Sequence, residues 1–175
     1  MKSAIHLIRN PFHNIIARYH LEYRHGIRSN KTFFVEHPNS PEGFQAWCKS
    51  QDTKYRSQDK EVFYDSKNLE GTICHAEFFK YTQWHNLVHE SMGLLNHTIP
   101  VMLVYYEDYS ADFNGTVSKI LDFLDLESVG KITDFHPRTD YDSYFTKEQR
   151  SNVRNLVREF ANDETWEEVK HYFKN

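Results

Sequence analysis

The apolar positions of this chain follow two rhythms. In the first they run on without a break. Ala4 to Ile8 is a short apolar run ending in Arg9, and Val101 to Tyr106 is another, bounded by Pro100 and by Glu107-Asp108. Both read as strands, the later one with the pattern of a strand buried on both faces in a parallel sheet. In the second rhythm apolar residues recur every three to four positions. Phe12, Ile15, Ile16, Tyr19 and Tyr23 make one face of a helix that Asn10 can cap, Pro11 can open and Gly26 is expected to stop. His13, Ala17, His20 and Arg24 share a second face of it. A helix around Glu42 to Tyr55 carries Phe44, Trp47 and Cys48, and a longer one from about Ala76 to Leu95 presents a wide apolar surface that includes Phe78, Tyr81, Trp84 and Leu87. Ser110 is the expected cap of a helix lined by Val117, Ile120, Leu121 and Leu124. Thr146-Lys147-Glu148-Gln149 is a capping box opening a last helix with the stripe Val153, Leu156, Val157 and Phe160. Ser29 to about Pro41 reads as loop, and Arg56 to Glu70 is charged and unpatterned.

Two strand-to-helix units predict an α/β fold, a parallel sheet flanked by helices, and 175 residues suit one domain. Parallel sheets usually have about four to six strands, so two lead to the expectation that part of the sheet lies before Met1. With 25 acids against 21 Lys plus Arg the formal charge is −4, which argues against nucleic acid as a partner. The average hides a local reversal. From Met1 to Lys31 the bases Lys2, Arg9, Arg18, Arg24, Arg28 and Lys31 face the single acid Glu22, with His6, His13, His20 and His25 interleaved. That segment should attract anions. No His-Glu-x-x-His or similar spacing points to a metal, and no metal is expected. No apolar stretch reaches the roughly 18 residues of a membrane span, and none at the N-terminus resembles a signal peptide. Cys48 and Cys74 are too few for a disulfide scaffold and leave open whether they form one bridge. The sequons Asn30-Lys31-Thr32, Asn96-His97-Thr98 and Asn114-Gly115-Thr116 lean toward the secretory lumen.

The chemistry concentrates at the first turn. In open α/β sheets ligands bind beyond the carboxyl ends of strands, where helix N-termini favour anions. Arg9 sits there, and a guanidinium makes bidentate hydrogen bonds to phosphate. The alternative is that Arg9 pairs with a sheet-edge carboxylate.

The stretch Leu7-Ile8-Arg9-Asn10-Pro11 and the helix after it resemble the 3′-phosphate-binding segment of the sulfotransferase family, a strand ending in Arg-Asn/Asp-Pro. Val104-Tyr105-Tyr106-Glu107-Asp108 resembles the family's later strand ending in Tyr-Glu-Asp, and Arg138 to Gln149 its terminal loop and helix. Cys74 to Asn86 is similar to the aromatic helix of carbohydrate-type members, and Ser29 to Leu69 behaves as an insertion. The resemblance implies an incomplete, P-loop-NTPase-like parallel sheet of sulfotransferase type. It also implies transfer of a sulfuryl group from the donor 3′-phosphoadenosine 5′-phosphosulfate to a hydroxyl, here of a carbohydrate, without a metal, in the Golgi lumen. Carried over by position, Arg9 would hold the donor's 3′-phosphate, Tyr106 would lie near the adenine, and Arg138 would add a phosphate contact.

Two departures qualify that reading. Ala17 stands where the family has the Ser that hydrogen-bonds the 3′-phosphate, and its neighbour Arg18 points about 100° away on a helix. The family's loop for the 5′-phosphosulfate and its base lie upstream of the Arg-Asn-Pro strand, so the chain is expected to be the C-terminal part of the domain, a truncated form with no turnover by itself. A catalytically inactive nucleotide- or glycan-binding remnant is the alternative.

Overall fold

The computed structural model describes residues 3–29, 31–58, 67–69, 71–94, 99–130, 135 and 141–174. In chain order its elements are β1 (Ala4–Ile8), α1 (Pro11–Arg28), α2 (Thr32–Glu36), α3 (Pro41–Gln58), α4 (His75–Leu94), β2 (Val101–Tyr105), α5 (Asp108–Ala111), α6 (Phe113–Leu124), α7 (Lys147–Phe160) and α8 (Asp163–Val169). Turns of 3-10 helix occur at Lys67–Leu69, Asp142–Tyr144 and Lys170–Phe173. The chain divides into two compact units, Met1–Asn10 with Val88–Thr139, and Pro11–Leu87 with Asp140–Asn175. Among the described residues no helix is long and apolar enough to cross a membrane.

In the first unit β1 and β2 pair in parallel, with Ala4 opposite Val101 and Ile8 opposite Tyr105. A parallel pair needs a long crossover, because the chain must return to the end it started from. The ladder is extended at both ends: the Ala4 amide donates to the Pro100 carbonyl over 3.0 Å and the Tyr106 amide to the Ile8 carbonyl over 2.7 Å. Burial on both faces, expected of the second strand, is not what the structure has. Val104 is buried, but Leu103 is 38% exposed, and Ile5 and Leu7 of β1 are exposed too. Among the described residues the sheet has two strands, and an apolar run alone does not bring a second covering layer. The helix after β2 is capped by Asp112, whose Oδ1 accepts from the Gly115 amide over 2.9 Å. Ser110 is not the cap because it lies inside the single turn α5. A Cβ at Gly115 would lie 2.0 Å from Asp112 Oδ2, so a larger residue there would make the capping side chain shift.

The second unit is built round aromatic side chains. Phe12 of α1 meets Phe78, Phe145 and Phe173 edge-on, with ring centroids 5.5, 5.1 and 5.5 Å away. Such pairs add about 0.5–1.5 kcal/mol each to the burial of the rings. Ile15, Ile16 and Tyr19 complete the buried face of α1 as its spacing predicts. The helix runs on past Gly26, which serves packing and not termination: a Cβ there would lie 1.9 Å from the Phe34 ring. Phe34 belongs to α2, a short helix where a loop is expected. The segment from Ser29 to Leu69 also contributes buried Phe44, Trp47 and Cys48 to this core. Cys48 is disulfide-bonded to Cys74, whose φ of 57° holds the turn into α4 in the left-handed region.

On α4 the buried face differs from its apolar letters. Phe78 and Tyr81 are buried, but so are Glu77, Thr82, His85 and Asn86, whereas Trp84 is 65% exposed. Several of these polar groups are hydrogen-bonded. Thr82 Oγ1 donates to the Phe78 carbonyl over 2.9 Å. Asn86 donates to the Phe160 carbonyl over 2.8 Å and accepts from the Asn162 amide over 3.0 Å, tying α4 to the start of α8. A buried polar group costs little once it is hydrogen-bonded. The capping box at Thr146 and Gln149 is formed as predicted, and Val153, Leu156 and Val157 of α7 are buried.

Candidate functional site

At the carboxyl ends of β1 and β2 the first unit brings two sequence-distant segments side by side. The hydrogen bond from the Tyr106 amide to the Ile8 carbonyl fixes the residue after one strand beside the last residue of the other. Immediately beyond it the Arg9 guanidinium lies 4.2 Å from the centroid of the Tyr106 ring. A guanidinium uses its flat face for such a stack and donates its N–H groups in its own plane. The next amide, of Asn10, donates to Glu107 Oε1 over 2.9 Å. Two predicted site residues, Arg9 and Tyr106, are therefore neighbours, while Arg138 lies outside the described residues. Glu107 is an addition. Its signal in the sequence is an acid directly beyond an apolar strand, but nothing there tells that it receives the backbone of the other turn.

The Tyr106 ring opens onto further aromatics. Its centroid is 5.2 Å from that of Phe135, which in turn lies 5.6 Å from Tyr109 and 5.9 Å from Phe113, stacked on the latter. A cation fixed on an aromatic surface suits an anionic ligand that carries a flat ring. His6, in β1, is buried with its ring 5.3 Å from His89. Burial first, and the charge of His89 second, hold its pKa down to about 4. At neutral pH this end of the sheet therefore draws its positive charge from Arg9 and not from His6.

The second unit arranges the other residues that the motifs single out. His13 and His20 of α1 face Tyr141 and Tyr144, which lie within the stretch predicted as terminal loop and helix: their rings lie 5.1 and 6.0 Å from Tyr141, and Tyr144 Oη is 3.4 Å from His20 Nε2. Arg18, the neighbour of Ala17, is committed within the unit. Its Nε is 2.8 Å from Oε2 of the buried Glu77, which Lys80 also reaches over 2.8 Å. Beside the disulfide, Lys49, Asp52, Thr53, Thr72 and His75 line a cleft of about 820 Å³. Burial raises the Asp52 carboxyl pKa, opposed by His75 and by the Ala76 amide that donates to Oδ1 over 2.9 Å. Through that bond Asp52 satisfies an amide of the first turn of α4.

A family model described as a sulfotransferase domain matches residues 2–175. No curated protein and no solved structure matches the chain.

Proposed function

This chain belongs to the sulfotransferase family, and from that premise we propose that it binds 3′-phosphoadenosine 5′-phosphosulfate as sulfuryl donor and serves transfer to a carbohydrate hydroxyl. The observation that carries the reading is the Arg9 guanidinium stacked 4.2 Å over Tyr106 at the carboxyl ends of the two parallel strands. The residues there fit one end of the donor: a fixed guanidinium matches a phosphate, and half-buried Tyr106, Tyr109, Phe113 and Phe135 offer faces to a purine. Arg9 takes the 3′-phosphate, Tyr106 holds Arg9 in place and borders the adenine, and Arg138 adds a second phosphate contact. When bound, that donor would supply an activated sulfuryl group. Glu107 positions the turn by accepting the Asn10 amide. The Cys48–Cys74 bridge supports an oxidising compartment such as the Golgi lumen.

A second reading, nucleotide or glycan binding without turnover, is favoured by Ala17 in the place of the family's Ser and by the commitment of Arg18 to Glu77. Calorimetry with adenosine 3′,5′-bisphosphate, alongside transfer of radiolabelled sulfate to oligosaccharide acceptors, separates the two. Binding with transfer supports the first reading and binding alone the second. No heat at millimolar bisphosphate removes both nucleotide readings.

A further inference from the structure

The second unit holds a smaller cleft, of about 230 Å³, lined among others by Phe12, Arg150, Ser151, Arg154, Tyr172 and Lys174. Neither Arg9 nor Tyr106 lines it. Its charge is one-sided: among the described residues three cations and no carboxylate line the space. Arg150 and Arg154 are four residues apart on α7 and so lie on one face of it, where like charges repel. Lys174 is brought to them because Phe173, just before it, is buried against Phe12.

Arg150 is fixed from below. Its guanidinium lies 4.9 Å from the Phe12 centroid and 5.9 Å from that of Phe145. The carboxylate paired with it is that of Asp142, 3.8 Å away on a side chain that is 99% exposed, so the pair is weak and screened. Among the described residues no carboxylate pairs with Arg154 or Lys174. Three cations converging on an aromatic-floored hollow repel one another unless something of opposite charge lies between them.

The size selects the ligand. At about 30 Å³ per liquid water, the cleft has room for a tetrahedral oxyanion with a few waters and is tight for a whole nucleotide. The Ser151 hydroxyl adds a donor that can turn to suit, and Phe12 and Tyr172 offer an apolar wall to the carbon of an ester. We propose that Arg150, Arg154, Lys174 and Ser151 form a binding site for a sulfate or phosphate monoester group. The ester could be carried by a sulfated glycan or by a nucleotide, and the chemistry that recognises it is the same.

The test is titration of the full chain with sodium sulfate and with inorganic phosphate at constant ionic strength, following the arginine Nε–H signals by NMR. Saturable shifts at Arg150 and Arg154 are expected. The double substitution Arg154→Ala/Lys174→Ala should weaken that binding at least tenfold, two charge-assisted contacts being lost. Both side chains are exposed, so an unchanged melting temperature shows that the fold survives. Arg9→Ala should leave the shifts at Arg150 unaltered, which keeps the outcome separate from that of the donor site. Repeating the double-variant comparison with a monosulfated disaccharide and with adenosine 3′,5′-bisphosphate assigns the ester to whichever ligand loses affinity. No saturable shift at Arg150, or equal sulfate affinity in the folded double variant, overturns the proposal.

Discussion

The Arg9 guanidinium rests on the face of the Tyr106 ring, 4.2 Å from its centroid. The two residues come from turns after different strands, and the parallel register of those strands makes them neighbours. Replacing Arg9 by Ala should therefore weaken adenosine 3′,5′-bisphosphate binding by roughly 10- to 150-fold, the equivalent of one charge-assisted contact of about 1.5–3 kcal/mol. Arg9→Lys should recover only part of this, because an ammonium neither stacks flat nor donates a planar pair. Calorimetry on folded variants measures both, and equal affinity in Arg9→Ala would remove Arg9 from the site.

Tyr106 acts on this reading through its ring. Tyr106→Phe should bind the bisphosphate nearly as well as the parent chain, while Tyr106→Ala should lose severalfold by freeing the guanidinium, a cation–π contact being worth about 0.5–2 kcal/mol. A large loss in Tyr106→Phe would show instead that the hydroxyl carries the contact.

Glu107 accepts the Asn10 amide across 2.9 Å. Removing the acceptor in Glu107→Ala should destabilise the turn by about 1–3 kcal/mol, since the amide is left without it. Glu107→Gln keeps a carbonyl oxygen and should cost less. Hydrogen exchange reports this locally: the Asn10 amide should exchange faster in Glu107→Ala, and unchanged protection would mean that the bond holds nothing in place.

The Cys48–Cys74 bridge joins positions 26 residues apart. In the chain-entropy account a loop of that size stabilises the fold by about 3 kcal/mol. Cys48→Ser/Cys74→Ser should lower the melting temperature accordingly and abolish the response of melting to reductant. A parent chain that melts alike with and without reductant would contradict this.

Acid should weaken the first unit through His6. Its pKa falls from 6.5 to about 4 on folding, so the unfolded chain binds the proton more readily. The stability that neutral His6 contributes is complete above pH 6.5 and is lost as pH falls toward about 4, at up to about 1.4 kcal/mol per pH unit. His6→Gln should flatten that part of the stability profile measured by denaturant titration. A difference between the two proteins that did not change across the window would show that His6 titrates alike folded and unfolded.

The local features of this protein were decided by the sequence itself. The strands at Ala4–Ile8 and Val101–Tyr105 follow from unbroken apolar runs, the buried stripe of α1 from helical periodicity, and the capping box at Thr146 from hydrogen bonds that reach only three residues along the chain. The turn at Arg9-Asn10-Pro11 likewise identifies the family and the residue to test. The tertiary structure decided what those features meet. Asn10 and Glu107 are 97 positions apart, and strand register, which no local pattern encodes, joins them. Gly26 looks like a helix stop, yet α1 passes through it because Phe34 needs the space a side chain would fill. Glu77, Thr82 and Asn86 look like surface residues of α4 and are buried, because their partners Arg18, the Phe78 carbonyl and the Asn162 amide satisfy them there. The first turn identified Arg9, but the ring of Tyr106 on which it rests was set by packing.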